Sequence, residues 1–282
     1  MNTNDIKDMR RPHQNHERAG ADTVALAELL DLDAEVLHSH LAELTAWLDE
    51  LTDPAPGRIL DLGSGTGTGT IALLERFPQA QATALDLSPQ MLHHLSKKAH
   101  GLGLAGRLDT VQADLDAVWP ELAPADLVWA TSSLHHMADP DQALARAFDA
   151  MRPGGLLAVT EMDFFPRFLP EDIGLGHLEA RLHAALNNGP ALDWTDNLSR
   201  AGFVLEAKRP FAIDLPAPLP EATGRYAQIS LSKLRSHADG QLSDADLALL
   251  DAVLDGDGPH SILRREDLTV RTTRTTWAAR RP

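Results

Sequence analysis

The sequence predicts an α/β protein built on a parallel β-sheet with helices on both faces. The first observation is a strand, a glycine-rich turn and a helix that follow one another in RILDLGSGTGTGT, residues 58–70. The second is the repeated alternation of short apolar segments with helical ones up to about residue 163, which is typical of βα units. The third is composition, because 282 residues with 43% hydrophobic and 23% charged content suit a large globular domain with additions.

Composition also excludes several classes of protein. The chain has no cysteine, which rules out disulfides, zinc–thiolate sites and thiol catalysis. Its formal charge of −16 argues against a nucleic-acid backbone as partner. No apolar run reaches the ~20 residues of a membrane helix, and the polar N-terminus lacks the apolar core of a signal peptide. We therefore expect a cytoplasmic protein, monomeric or homodimeric, with a small-molecule substrate and no membrane or nucleic-acid partner.

Two helices are expected before the first strand. Residues 1–20 are polar and charged and are not expected to fold alone. Residues 22–30 and 33–52 have helical apolar spacing, and Asp31 or Asp33 is expected to cap the second helix. The prolines and glycine of residues 53–57 then separate these helices from the sheet.

The central part of the chain predicts five strands. They are expected at the residues up to Asp61 and at 81–86, 107–113, 125–130 and 156–161. A helix should start at Ser88 and Pro89, since serine is a good cap and proline suits the first turn. Another helix is expected over 140–151, followed by a sharp turn at 152–155.

The later chain predicts a different arrangement. Helices are expected over 170–188 and 192–202, then a sixth strand over 203–214. The proline-rich residues 215–220 should interrupt the sheet before helices at about 221–237 and 243–255, the second capped by Ser243. Residues 268–279 are rich in β-branched side chains and are expected to form the last strand.

The glycine turn admits three interpretations as a nucleotide-type site. A phosphate-binding P-loop requires Gly-Lys-Ser/Thr, and no lysine follows these glycines. A dinucleotide fingerprint requires G-x-G-x-x-G, and the third glycine would fall at Thr68 or Thr70, although an acidic residue, Asp86, does follow about 20 residues on. The third interpretation rests on residues 61–67, DLGSGTG, which closely resemble the first motif, D-x-G-x-G-x-G, of class I S-adenosylmethionine (SAM)-dependent methyltransferases.

The resemblance covers residues 57–163 in detail and implies a Rossmann-like seven-stranded sheet with an antiparallel last strand and a small helical cap. It implies SAM as cofactor and S-adenosylhomocysteine as product. Asp61 would receive the cofactor's amino group, Asp86 both ribose hydroxyls and Asp114 the adenine amino group, with Asp116 close to Asp114 as an alternative. The residues assigned to the cofactor in this way are Asp61, Gly63, Ser64, Gly65, Gly67, Asp86, Leu87, Met91, Ala113, Asp114, Leu115 and Thr131.

Substrate contacts are expected where the fourth and fifth strands end. Leu134-His135-His136 resembles small-molecule methyltransferases of the ubiquinone-biosynthesis type, and it departs from the Asn/Asp-Pro-Pro-aromatic motif of DNA amino-methyltransferases. His135 is interpreted as structural and His136 as the residue that faces the substrate. The candidate catalytic residues are His136, Tyr226, His183 and Glu161; the candidate substrate-binding residues are His136, Asp163, Phe164, Phe168, Arg225 and Tyr226. No third ligand accompanies the paired histidines, so no metal site is expected.

The sequence therefore predicts four regions and one main activity. Residues 1–56 are expected to form a helical lid, 57–214 the SAM-binding core, 215–263 a helical insertion that caps the substrate, and 264–282 the last strand. The expected activity is in-line transfer of a methyl group to N, O or C of a secondary metabolite. An NAD-dependent oxidoreductase and a non-catalytic SAM-binding protein are the two alternatives; the misplaced third glycine and the lack of a Tyr-x-x-x-Lys pair speak against the first.

Overall fold

The computed structural model describes residues 11–171, 177–186, 192–216 and 218–282, with side chains from Thr23 onward. Its strands are β1 (Arg58–Leu62), β2 (Gln81–Asp86), β3 (Leu108–Gln112), β4 (Ala125–Thr131), β5 (Met151–Met162), β6 (Val204–Leu215) and β7 (Val270–Arg280). They form one sheet in the order β3-β2-β1-β4-β5-β7-β6. The pairings from β3 to β5 are parallel, and β7 is antiparallel to both β5 and β6. The expected Rossmann-like α/β fold with an antiparallel last strand is confirmed.

Nine α-helices occur within the described residues. They are α1 (Arg11–Val36), α2 (His38–Leu51), α3 (Thr68–Arg76), α4 (Pro89–Gly101), α5 (Pro140–Asp149), α6 (Leu178–Ala185), α7 (Thr195–Arg200), α8 (Thr223–Arg235) and α9 (Asp244–Leu254). The predicted caps of α4 and α9 are confirmed, because Ser88 Oγ accepts from the Met91 amide at 3.3 Å and Ser243 Oγ from the Asp246 amide at 3.2 Å.

Helices cover both faces of the sheet. On one face, Leu44 and Leu48 of α2 and Leu73 of α3 pack against β1, β4 and the inner residues of β5. On the other, Leu144 of α5 and Leu198 of α7 pack against the opposite side of the same strands. Strands buried on both faces read as continuous apolar runs, which is how the sequence displays them.

A separate apolar core lies at one end of the sheet. It joins the end of α1 with α6, α8 and α9, and its members include Phe168, Leu231 and Val270. Pairing between β5 and β7 continues past the sheet edge, since the Asp163 amide donates to the Thr273 carbonyl and Arg167 pairs with Arg271. The helices around this second core form the cap. The cap follows the carboxyl end of β5, at the end of the sheet where open α/β folds bind ligands.

Three local predictions were wrong. Residues 11–36 form one helix, so Asp31 and Asp33 lie inside α1 and cap nothing. Residues 152–155 are an irregular part of β5, at a register shift against β4, and do not precede the strand. The predicted helix over 170–188 is reduced to α6 in the described part, while residues 172–176, 187 and 188 lie outside the described residues.

Candidate functional site

The site lies where the chain direction across the sheet reverses, between the carboxyl ends of β1 and β4. From β1 the chain moves outward to β3, and it then returns to the other side of β1 through β4. Such a switch point leaves a crevice outside the strand ends, because the two following loops run in opposite directions. The predicted glycine turn and the Leu134-His135-His136 segment are the loops that border this crevice.

Glycines in the turn are required by backbone conformation and by packing. Gly63, Gly65 and Gly67 have φ of +74°, +53° and +77°, a region that side chains rarely adopt. A Cβ at Gly63 would lie 2.6 Å from Cβ of Ser133, and one at Gly67 would clash with Leu95. Protein atoms thus occupy the space beside these two glycines.

Asp86 ties the glycine turn to the end of β2. Its Oδ2 accepts from the Gly65 amide and its Oδ1 from the Ser88 amide, each at 2.8 Å. The side chain is half-buried, and a carboxylate oxygen can accept a second hydrogen bond. Asp86 is therefore held in a fixed orientation while retaining acceptor capacity toward the crevice.

Asp61 is the buried acid of the crevice. The Thr70 hydroxyl donates to its Oδ2 at 2.5 Å. Burial raises the pKa of Asp61 to about 7; the Thr70 hydrogen bond opposes this rise and the nearby charge of Asp86 adds to it. A cationic group placed beside Asp61 would relieve this penalty, which suits its predicted role toward an amino group.

The structure distinguishes the two acids that follow β3. Asp116 accepts from the amides of Ala138 and Asp139 and so holds the loop after β4. Asp114 is exposed, and its Oδ1 accepts only the amide of Asp116 at 2.9 Å. The geometry therefore leaves Asp114 as the acid with free acceptor capacity, as the sequence suggested.

The apolar residues assigned to the cofactor have two different settings. Ala113 and Leu115 are buried in the core on one face of the sheet. Leu87 is 65% exposed, and Met91 lines a groove of about 460 Å³ between α1 and the start of α4. Leu87 thus offers an open apolar surface beside Asp86.

Unpaired polar atoms converge on the crevice. Four of them are buried without a hydrogen-bond partner within the described residues, namely Ser64 Oγ, Thr131 Oγ1, Ser133 Oγ and Glu161 Oε1. They follow or end the strands β1, β4 and β5, which are parallel neighbours, so their carboxyl ends lie at the same end of the sheet. Buried polar groups are nearly always paired, so this cluster indicates a site that a polar ligand completes. The residues present fit SAM, which carries an ammonium, a carboxylate and ribose hydroxyls.

His135 and Glu161 form a pair at the end of β4 and β5. His135 Nδ1 lies 2.7 Å from Glu161 Oε2, and the Glu161 side chain is buried. The preceding Ser132 has φ of +51°, a strained conformation for serine that turns the chain sharply after β4. Sequence reasoning missed this pair, although a histidine and a glutamate after neighbouring parallel strands were the available signal.

His136 lies beside His135 but is not held by a carboxylate. The two rings have centroids 3.9 Å apart, and much of the His136 side chain is exposed. Partial burial lowers the pKa of His136, and the neighbouring His135 and Lys233 of α8 lower it further. Of the two histidines, His135 is therefore the one that a carboxylate orients among the described residues.

Tyr226 does not face the crevice with a free hydroxyl. It is 2% exposed, and its Oη donates to Asp33 Oδ1 of α1 at 2.5 Å, the same oxygen that Arg274 of β7 contacts at 2.5 Å. Burial, then the charge of Asp33, raises the pKa of Tyr226 well above its usual value. The expectation of a general base at Tyr226 is therefore replaced by a structural role between α1, α8 and β7.

The other predicted substrate-binding residues lie in different surroundings. Arg225 pairs with Glu28 of α1 at 2.7 Å on the surface, and Phe168 is fully buried in the cap core. Asp163, two residues after Glu161, accepts from the Thr275 hydroxyl at 3.0 Å. Of this group, Asp163 and the half-exposed Phe164 follow directly after the carboxyl end of β5.

His183 lies in α6, within the cap. Burial lowers its pKa to about 4, and the charge of Arg167 adds to this effect. Its Nε2 is buried without a hydrogen-bond partner among the described residues. His183 is therefore a neutral imidazole at neutral pH, close enough to Arg167 to be affected by its charge.

The described residues contain neither a candidate metal site nor a candidate membrane-spanning helix. In the ranges that the structure covers, no group of three or more histidine and acidic side chains is arranged to hold a metal ion. Across those same ranges, none of the helices combines the length and apolar character needed to cross a bilayer.

A family description and several relatives match the central part of the chain. Residues 60–157 match the family described as "Methyltransferase domain". Trans-aconitate 2-methyltransferase of Acidovorax sp. (strain JS42) is 40% identical over 44% of this chain and 45% of that protein. Malonyl-[acyl-carrier protein] O-methyltransferase of Laribacter hongkongensis is 37% identical over 44% of this chain and 43% of its own length. The matches thus span less than half of these relatives.

Solved structures extend the similarity to most of the chain at the level of the fold. The [4+2]-cyclase SpnF has a TM-score of 0.52 and 23% identity, covering 86% of this chain and 80% of that one. The YcgJ protein of Bacillus subtilis has a TM-score of 0.53 and 15% identity, covering 87% of this chain and 100% of its own. Strand order, glycine turn and domain match agree, and residues 60–157 of this chain are similar to a methyltransferase domain.

Proposed function

We propose that this protein binds SAM at the β1–β4 crevice and transfers its methyl group to a small-molecule acceptor. The observation that carries the proposal is the cluster of unpaired polar atoms at Ser64, Thr131, Ser133 and Glu161, next to the oriented Asp86. The sulfonium of SAM supplies an activated methyl group and a good leaving group, so alignment of the acceptor provides much of the acceleration. In this proposal Asp61 receives the ammonium, Asp86 the ribose hydroxyls and Asp114 the adenine amino group.

The His135–Glu161 pair is proposed to remove the acceptor's proton. Glu161 fixes the imidazole through Nδ1, which leaves Nε2 as the nitrogen that can accept a proton from a hydroxyl, amine or carbon acid. The imidazolium formed would be stabilised by the buried carboxylate at 2.7 Å. An acceptor that is already a carboxylate needs no base, and the pair would then position it by hydrogen bonding.

Relatives indicate the range of acceptors. Names of the matched proteins include trans-aconitate, a malonyl group on a carrier protein, and ubiquinone/menaquinone precursors methylated at carbon. These names support a small-molecule or carrier-bound acceptor. A natural product acceptor is our finer proposal, and the acceptor atom follows from the compound.

The expected helical lid, residues 1–56, is proposed to close over the β1–β4 crevice. α1 joins α8 through the Glu28–Arg225 and Asp33–Tyr226 contacts, and Leu30 lies 3.0 Å from the position of a Cβ on Gly65. Residues 1–56 and 215–263 would thus act together to exclude water from the reaction.

A second function is represented by one structural neighbour of the same fold. SpnF is named as a [4+2]-cyclase and not as a methyltransferase. We therefore consider a protein of this fold that binds SAM without transferring its methyl group as the alternative, and an NAD-dependent oxidoreductase as the more distant one.

Binding and turnover separate these possibilities. Calorimetry should detect S-adenosylhomocysteine and not NAD; NAD binding without S-adenosylhomocysteine binding would overturn the assignment. Incubation with methyl-labelled SAM and a panel of aromatic, indole-type and polycarboxylate acceptors should then give a labelled product. His135→Gln should abolish most turnover while retaining cofactor binding, and His237→Gln, an exposed histidine at the end of α8, is the matched control.

A further inference from the structure

Arg167 differs from the other half-buried arginines of the cap. Those each have a carboxylate partner, in the pairs Arg181–Asp246, Arg235–Asp251, Arg265–Asp267 and Arg271–Glu171. Arg167 makes no ion pair with any residue that the structure describes, and its Nε is buried without an acceptor. A buried donor without a partner loses its hydration and gains nothing in return.

The main chain of Arg167 is fixed by hydrogen bonds, although its charge has no ion-pair partner among the described residues. Its main chain exchanges two hydrogen bonds with Arg271, at 2.9 and 3.0 Å, in the extension of β5 and β7. Glu179 lies close enough to feel its charge, but the two Glu179 oxygens accept the amides of Phe168 and Leu169 at 2.9 Å. The main chain of Arg167 is therefore fixed, and the Glu179 carboxylate is engaged by backbone amides and forms no ion pair with Arg167 among the described residues.

Two further side chains surround the guanidinium. Its Cζ lies 5.5 Å from the centre of the Phe164 ring, and Phe164 is 38% exposed. His183 presents a neutral imidazole whose Nε2 is buried and has no hydrogen-bond partner in the part of the chain that the structure describes. An aromatic face, a planar cation and a neutral imidazole nitrogen thus occur together at the inner side of the cap.

The position of Phe164 places this cluster near the proposed acceptor site. Phe164 follows Glu161 by three residues, so their Cα atoms are at most about 10 Å apart. Its carbonyl accepts the Thr272 hydroxyl at 2.8 Å, which fixes it at the edge of β5. The Arg167 guanidinium lies over the Phe164 ring, so its position is tied to that of Phe164.

We propose that Arg167, with Phe164 and His183, binds an oxyanion, a carboxylate or a phosphate, carried by the acceptor substrate. A guanidinium can donate two parallel hydrogen bonds to such a group, and the exposed ring of Phe164 would pack on the planar or apolar part next to it. This proposal rests on the proposed function, since it gives the chemical class of the molecule that the same site methylates.

Simple probes test this site without turnover. The full chain, saturated with S-adenosylhomocysteine, is titrated with benzoate, phenyl phosphate and the neutral benzamide. We expect benzoate or phenyl phosphate to bind about tenfold or more tightly than benzamide, since hydrogen bonds to a charged group are worth this much. Which of the two anions binds better distinguishes carboxylate from phosphate recognition.

Variants assign the preference to Arg167. Arg167→Gln should reduce anion binding to the level of benzamide, and Arg167→Lys should retain part of the preference. Arg200→Gln, at a surface pair with Asp141, is the matched control and should bind all probes as the unmodified chain does. Equal affinities for anion and benzamide in the unmodified chain, no binding of any probe, or an unchanged preference in Arg167→Gln would each overturn the proposal.

Failure of this proposal is distinguishable from failure of the proposed function. S-adenosylhomocysteine affinity is measured separately in every variant and reports on the β1–β4 crevice alone. Unchanged cofactor affinity and unfolding temperature in Arg167→Gln show that the variant is folded, so a lost anion preference then reports on the cap.

Discussion

Asp61 is a carboxyl group in surroundings that oppose its charge. Its pKa of about 7 means that the carboxylate forms as the pH rises through neutrality. Since an ammonium group is attracted only to the ionised form, we expect the affinity for S-adenosylhomocysteine to increase up to about tenfold between pH 6 and 8. Calorimetry across this range should show the increase in the unmodified chain and a flat profile in Asp61→Asn. An equally steep profile in the variant would assign the titration to another group.

Asp86 is a second residue whose substitution should weaken cofactor binding. Asp86→Ala should weaken S-adenosylhomocysteine binding by about 1–3 kcal/mol, because buried ribose hydroxyls lose their acceptors. The variant also frees the Gly65 and Ser88 amides, so Asp86→Asn, which keeps one carbonyl acceptor, should lose less. Calorimetry and circular dichroism measure the two effects. Unchanged affinity in a folded Asp86→Ala protein would place the ribose elsewhere.

Asp33 of α1 contacts two elements that lie far from it in sequence, α8 and β7. This α1 residue accepts from Tyr226 of α8 and from Arg274 of β7, and Arg274 is buried. Asp33→Asn should destabilise the fold by about 3 kcal/mol or more, since a buried guanidinium loses its counter-charge. Tyr226→Phe should have a smaller effect, about 1 kcal/mol, because the ion pair remains. Urea unfolding measures both; equal losses would mean that the ion pair contributes nothing beyond the hydroxyl.

The packing of α2 on β6 introduces a dependence on pH. His40 packs edge-on against Phe211 at 5.3 Å, and burial, followed by the charge of Arg274, lowers its pKa to about 4. A lowered pKa means that the fold favours the neutral ring. The stability it contributes is therefore complete above pH 6.5 and is lost as the pH falls toward 4.

His40→Leu removes this titration. On lowering the pH from 7 to 5, we expect the unmodified chain to lose about 2 kcal/mol more stability than the variant. Urea unfolding at both pH values measures the difference. His38→Leu, an exposed histidine of the same helix, should lose as much as the unmodified chain and serves as the control.

At the scale of the whole molecule, α1 should matter more for turnover than for folding. Glu28, Asp31 and Asp33 anchor it to α8, α4 and β7, and all three follow residue 18. A chain lacking residues 1–18 should therefore keep its unfolding temperature and lose most turnover, because the proposed lid would be shortened. Turnover with labelled SAM measures this; normal turnover would restrict the lid to α8 and its neighbours.

Much of the fold and the geometry of the glycine turn could be predicted because these features depend on neighbours in sequence. The glycine turn needs positive φ at three glycines, and Ser88 and Ser243 cap the helix that starts beside them. Alternation of strands and helices specifies parallel pairing with little choice of hand. These are local properties, so a sequence displays them directly.

Other features depend on partners far along the chain. The sequence alone determined the α/β class, the glycine turn and the acids at the ends of β1, β2 and β3. Only the tertiary structure decided that Asp33 belongs to Arg274 and Tyr226, that His135 and not His136 is held by Glu161, and that Arg167 is left without a partner among the described residues. The physical reason is that a polar side chain is recognised as bound or free only when the groups brought beside it by packing are known.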